Sequence, residues 1–145
     1  MQKTIKNRIN KDFIIRFVKF GVVGGSGLFV NMFLLWLCKD LLGLPLTIAS
    51  LIAIGVAILT NFILNNYWTW RDNEQNQKYT FFHRMLRYYI SASFSAIINY
   101  VALIMLTELA GIYYLISNLI GIGLGTIFNF GLGEFWVFKK IDQEK

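Results

Sequence analysis

Residues 16–43 read RFVKFGVVGGSGLFVNMFLLWLCKDLLG, and residues 84–111 read RMLRYYISASFSAIINYVALIMLTELAG. Each stretch opens on two cations three residues apart, runs through a long apolar segment with one asparagine at its middle, and ends on an acid with a glycine three residues after it. A helix needs about 20 apolar residues to cross a hydrocarbon core of about 30 Å, and both stretches supply them. The second lies 68 positions after the first, and the same shift pairs 16–71 with 84–139 without a gap. Roughly a quarter of those pairs are identical, among them Arg16/Arg84, Asn31/Asn99, Gly43/Gly111, Gly55/Gly123, Asn61/Asn129, Phe62/Phe130 and Trp68/Trp136. Shared apolar bias matches leucines and isoleucines; it does not bring asparagines, glycines and a tryptophan into register.

Working outward, each copy holds a second apolar run, so spans are predicted at about Phe17–Cys38, Leu46–Trp68, Leu86–Thr107 and Tyr113–Phe138. The fold class is all-α: an integral membrane protein of four transmembrane helices, arranged as two parallel two-helix repeats. It is read as one membrane domain, with repeats at about 16–71 and 84–139, a central loop at 72–83, and tails 1–15 and 140–145. An even number of spans per copy makes the repeats enter and leave on the same side, with a symmetry axis along the membrane normal. Ile5, Ile9 and Phe13 suggest a short amphipathic helix on the membrane surface before the first span.

Composition agrees. The chain is 56% hydrophobic and 15% charged, with a mean hydropathy of +0.52, against about 45–50% apolar and about 25% charged residues in soluble domains. Four spans leave no length for a soluble catalytic domain, so no enzymatic activity is expected of these residues. Cys38 is the lone cysteine and His83 the lone histidine, too few for a thiolate or imidazole metal centre; no metal or cofactor is expected.

Thirteen of the fourteen Lys and Arg residues fall in the N-terminal tail, the central loop with its flanks, or the C-terminal tail, and only Lys39 lies in an outer turn. By the positive-inside rule both termini are cytoplasmic, and the protein is a multi-pass protein of the cell membrane. The charge of +6 is a topology signal and an attraction to anionic membrane lipids, not a nucleic-acid footprint. Trp68, Trp70 and Trp136 at span ends suit the headgroup layer.

Polar groups within the spans are the candidate functional residues. Asn61 and Asn129 lie about 15 Å from their Arg71 and Lys139 ends at 1.5 Å per residue, near the midplane, and Asn31 and Asn99 about 22 Å from Arg16 and Arg84. Asn61, Asn65 and Trp68 form one helical stripe with Asn66 beside it; the fourth span repeats the stripe as Asn129, Gly133 and Trp136. Two readings stand: a polar path between the repeats, or interhelical staples. The small-residue pairs Gly21/Gly25, Ser91/Ser95 and Gly121/Gly125 are read as packing. Arg16 with Lys19, and Arg84 with Arg87, each lie on one helix face at the cytoplasmic end, and four such cations suit a phosphate. Glu134 is the one acid within a predicted span, suited to an ion pair with Lys19 or Arg87, or to carrying a proton.

The opening RFVKFGVVGG at 16–25, the ending Asn61-Phe62, Asn65, Trp68-Thr69-Trp70-Arg71 and its second copy Asn129-Phe130, Trp136-Val137-Phe138-Lys139 resemble the GtrA-like family of small four-span membrane proteins. Gly133 in place of the first copy's Asn65, and Thr69-Trp70 where Val-Phe is usual, depart from its pattern. The resemblance implies translocation of a polyprenyl-phosphate-linked monosaccharide between leaflets, for glycosylation of a cell-surface polysaccharide or teichoic acid. Arg16, Lys19, Arg84 and Arg87 would then neutralise the lipid phosphate while the asparagines replace water around the sugar. Partners would be that sugar lipid, membrane lipids and a membrane glycosyltransferase; a homo-oligomer is left open. Two other functions fit four helices: a proton-coupled exporter of hydrophobic cations, and a non-transporting membrane subunit of a glycosyltransferase.

Overall fold

The computed structural model describes residues 2–72 and 77–141, and the side chains of all of these except 2–10, 114 and 115. The loop centre at 73–76, the last four residues of the tail, and the Ile5 and Ile9 side chains of the predicted surface helix lie outside what is described. The chain forms two compact units, Met1–Gln75 and Asn76–Lys145. The first holds α1 (Gln2–Trp36) and α2 (Leu46–Leu64); the second holds α3 (Phe81–Ile104) and α4 (Tyr114–Leu132). Among the described residues four segments are long and apolar enough to cross a membrane: Lys11–Leu41, Leu46–Thr69, Phe81–Leu109 and Ile116–Val137. This is an all-helical, multi-pass membrane protein.

Two boundaries differ from expectation. α1 continues unbroken from Gln2 rather than separating a surface helix from the span, because nothing between Lys11 and Phe17 breaks a helix. α3 begins at Phe81, several residues before the expected Leu86, with Thr80 ahead of it and the Thr80 hydroxyl 2.8 Å from His83 Nδ1. His83 therefore belongs to the first helical turn, not to the loop.

Every helix ends the same way. Leu37–Leu41, Asn65–Thr69, Met105–Leu109 and Gly133–Val137 are wound one residue wider than an α-helix, and the backbone amides of Leu42, Trp70, Ala110 and Phe138 each donate to a carbonyl five residues back. These wide turns pair at the 68-residue shift, so the repeat extends to an uncommon backbone geometry. At the turn between helices Gly43 and Gly111 adopt φ of +65° and +66°, a left-handed conformation that costs a side chain. The next amides, Leu44 and Ile112, close onto Cys38 and Leu106 carbonyls at 3.0 Å. Pro45 and Tyr113 then stand in equivalent extended conformations just before α2 and α4.

Within each unit the two helices meet along one stripe of the second helix. On α2 Ala49, Ala53 and Ala57 are buried at spacing four; on α4 the matching positions are the buried Ser117, Gly121 and Gly125. Helix pairing in lipid depends on such close approach, since apolar tails give no hydrophobic drive. A methyl group on Gly27 would overlap the Asn61 amide, and one on Gly125 would lie 2.8 Å from the Ser95 carbonyl oxygen. Gly27 and Ser95 are repeat equivalents, as are Ala57 and Gly125, so the units place the smallest residue on opposite partners. Of the expected packing pairs, Ser91/Ser95 and Gly121/Gly125 lie in these seams. Gly21 and Gly25 do not, since a methyl group on either would meet nothing within 4 Å. The opposite faces are apolar and open, with Phe29 77% and Leu119 69% exposed, a surface suited to lipid.

Candidate functional site

Each unit has a foot, where its first membrane helix begins and its second ends. The last turn of a helix leaves carbonyls without intrahelical donors and carries the negative end of the helix dipole. In the first unit Lys19 reaches the Trp68 carbonyl at 3.4 Å and lies over the Trp68 ring, 5.6 Å from its centroid. In the second, Arg87 reaches the Trp136 carbonyl at 3.3 Å and lies 4.9 Å from the Trp136 ring centroid. The same cap is thus built twice, with lysine in one copy and arginine in the other. Arg87 is held further by the Tyr79 ring, 3.6 Å from its centroid. Behind each cap an aromatic pair packs edge to face: Phe20 with Trp70 at 5.9 Å, and Tyr88 with Phe138 at 6.3 Å. Trp70 is fully buried and so is a core residue of its foot, whereas Trp68 is 44% exposed.

The outer cations differ. Arg16 forms an ion pair with Asp72 at 2.5 Å. Arg84 donates to the Tyr79 carbonyl at 2.6 Å and lies over the Phe81 ring. An open cleft of about 690 Å³ at the first foot is lined by Asp12, Arg16, Lys19, Trp68, Arg71 and Asp72 among others. At the second foot the Lys78 amide donates to the Lys139 carbonyl at 3.0 Å, and Gln77 pairs with Lys140, which brings the backbone of Lys78 alongside that of Lys139 and Lys140. The capping bonds use one donor of Lys19 and one of Arg87, out of three and five. Each cap therefore leaves its cation with further N–H donors.

Deeper polar residues divide into paired and unpaired groups. Asn129 Oδ1 accepts the Ser91 hydroxyl at 2.5 Å, and Asn65 Oδ1 accepts the Thr69 hydroxyl at 2.7 Å. Asn66 is buried in the same wide turn. The Ser91–Asn129 bond joins α3 to α4, while the Asn65–Thr69 bond stays within one turn. The Oδ1 atoms of Asn61 and Asn99 are buried with no hydrogen-bond partner, packed at Gly27 and Gly121. Asn31 and Glu134 are half-buried, Glu134 in the wide turn just before Trp136. Tyr79 and Asp72 were not anticipated as site residues. Asp72 lies just beyond the aligned repeat and Tyr79 before it, so neither carries the internal signal that marked the cations.

Residues 19–138 match the GtrA/DPMS, transmembrane domain, family. The chain belongs to that family. Over 111 residues it is also 42% identical to a protein of Pyrococcus furiosus named dolichol-phosphate mannosyltransferase. That alignment covers 77% of this chain and 30% of the relative, so the chain spans under a third of that protein's length. The expectation of a chain apart from enzymes is thereby corrected: the relative bears an enzyme's name, and this chain matches part of it. Length alone misled, since it counts only the catalytic domain these residues have no room for and says nothing of membrane segments that belong to enzymes.

Proposed function

We propose that the protein handles a polyprenyl-phosphate-linked monosaccharide in the cell membrane, gripping its phosphate at the cytoplasmic face and passing the sugar to the outer leaflet for glycosylation of a cell-surface polymer. The observation that carries this reading is the duplicated foot, in which Lys19 and Arg87 sit on a tryptophan at a helix end with donors to spare. Arg16 and Arg84 add the second cation of each pair, and guanidinium forks suit phosphate oxygens. The unpartnered amide oxygens of Asn61 and Asn99 accept from sugar hydroxyls, with Asn31 further along. Termini on the cytoplasmic side follow from the cation distribution.

A second reading has its own support. The match to part of a named mannosyltransferase favours a membrane module that holds the lipid for a glycosyltransferase, without carrying the sugar across. Vesicles containing the purified protein and a labelled polyprenyl-phosphate sugar separate the two. Translocation predicts that the label becomes accessible to an outside enzyme faster than in empty vesicles. Equal rates would remove translocation; faster sugar transfer by an added membrane glycosyltransferase in those same vesicles would then establish the module.

A further inference from the structure

The 68-residue shift pairs the charged positions of the two feet with one another: Asp12 with Thr80, Arg16 with Arg84, Lys19 with Arg87, Arg71 with Lys139, and Asp72 with Lys140. At these five positions the first foot has three cations and two acids, a net of +1, and the second has four cations and no acid, a net of +4. Extending the count to the pairs Asn10/Lys78, Lys11/Tyr79 and Asn66/Glu134 adds Lys11 to the first foot, for a net of +2, and Lys78 and Glu134 to the second, which stays at +4. At physiological salt charges are screened over about 8 Å, so an anion is governed by the charges nearest to it.

The difference is also geometric. Asp72 places a carboxylate oxygen 2.5 Å from Arg16 Nη2, in the position a phosphate oxygen would take on that guanidinium. An arriving phosphate must share that guanidinium with the carboxylate or displace it. Arg87 is seated against two rings, Tyr79 at 3.6 Å and Trp136 at 4.9 Å, whereas Lys19 has one ring at 5.6 Å. A side chain already held in place loses less freedom on binding, and an arginine fork offers paired donors where lysine offers a point charge.

We propose that the two feet have unequal roles: the second unit's foot, centred on Arg87 with Arg84, Lys139 and Lys140, is the capture site for a phosphodiester or phosphomonoester head, while Asp72 offsets part of the positive charge of the first unit's foot. This rests on the phosphate chemistry of the proposed function and adds where the phosphate goes first. Asp72 acts as a tethered competitor, so the first foot binds the same head more weakly.

The test uses the full chain in phosphatidylcholine nanodiscs and a radiolabelled polyprenyl-phosphate mannose as probe. Thr80→Asp with Lys140→Asp writes the first foot's acids into the second and leaves Arg84 and Arg87 in place; affinity is expected to fall about tenfold, as for loss of charge-assisted contacts. The mirror change, Asp12→Thr with Asp72→Lys, is expected to raise it. Arg16→Gln with Lys19→Gln is expected to cost no more than about threefold. Inorganic phosphate at millimolar concentration distinguishes the sources: full displacement of the probe assigns the foot to free phosphate, and retention assigns it to the lipid head, both supporting the asymmetry if the acid-writing variant weakens that binding. Equal losses from Thr80→Asp/Lys140→Asp and from Arg16→Gln/Lys19→Gln would overturn the unequal roles while leaving phosphate binding intact. A wild-type protein that binds neither probe nor phosphate would overturn both.

Discussion

Gly121→Ala and Gly123→Ala place the same methyl group on the same helix, two residues apart. A methyl on Gly121 would lie 2.7 Å from the Asn99 backbone oxygen and overlap the Asn99 amide, while one on Gly123 has nothing within 4 Å. Both substitutions gain the same helix propensity, about 1 kcal/mol, so that contribution cancels in their difference. The remaining term is the overpacking at Gly121, where the obstacle is backbone of α3 and cannot rotate away. Overpacking of this kind costs about 1–3 kcal/mol, so Gly121→Ala should be less stable than Gly123→Ala by about that amount. Unfolding in mixed detergent and SDS micelles, followed by far-ultraviolet circular dichroism, measures the difference on the intact protein. Indistinguishable midpoints for the two variants would refute the close packing of α3 on α4 through Gly121.

Ser91→Ala removes the hydroxyl donated to Asn129 and should cost about 0.6–1.7 kcal/mol in the same unfolding assay. Asn61→Leu should cost less than Asn129→Leu, since the Asn61 amide oxygen has no partner to lose and the Asn129 oxygen has one; the reverse order would show that Asn61 is the stronger staple. Gly111→Ala forces a side chain to φ +66° and should destabilise by about 1–2 kcal/mol, whereas Gly55→Ala, with open space around it, should not. Phe29→Lys, on an exposed face of α1, should lower membrane insertion in a glycosylation-reporter assay by an amount near the roughly 2.5–3.5 kcal/mol of a mid-span cation.

The repeat was legible because its markers are residues that apolar bias does not supply, and the wide turns at Leu37–Leu41 and Met105–Leu109 follow the same register. The turns themselves were not legible: winding one residue wider leaves the apolar pattern of a membrane helix unchanged. The start of α3 was misplaced because Phe81, Phe82 and His83 precede the long apolar run, and a polar flank reads as loop until Thr80 is seen at its head. The cation pairs were visible from their i,i+3 spacing, but their seats on Trp68 and Trp136 depend on where α2 and α4 end. Small-residue spacing was an imperfect guide to contact. Gly21 and Gly25 have the spacing and lie off the seam, while Gly27, without a partner four residues away, lies in it, since spacing says that a face is small and not which face meets a neighbour.

The claim on which the functional account depends is that Lys19 and Arg87 grip a lipid phosphate. Replacing both with glutamine, in vesicles that report the transbilayer movement of a labelled polyprenyl-phosphate sugar, tests it most directly. The account predicts movement slowed about tenfold or more relative to wild type, as expected when charge-assisted phosphate contacts are lost from both feet. Movement at the wild-type rate, in a double variant whose helicity is unchanged, would contradict it.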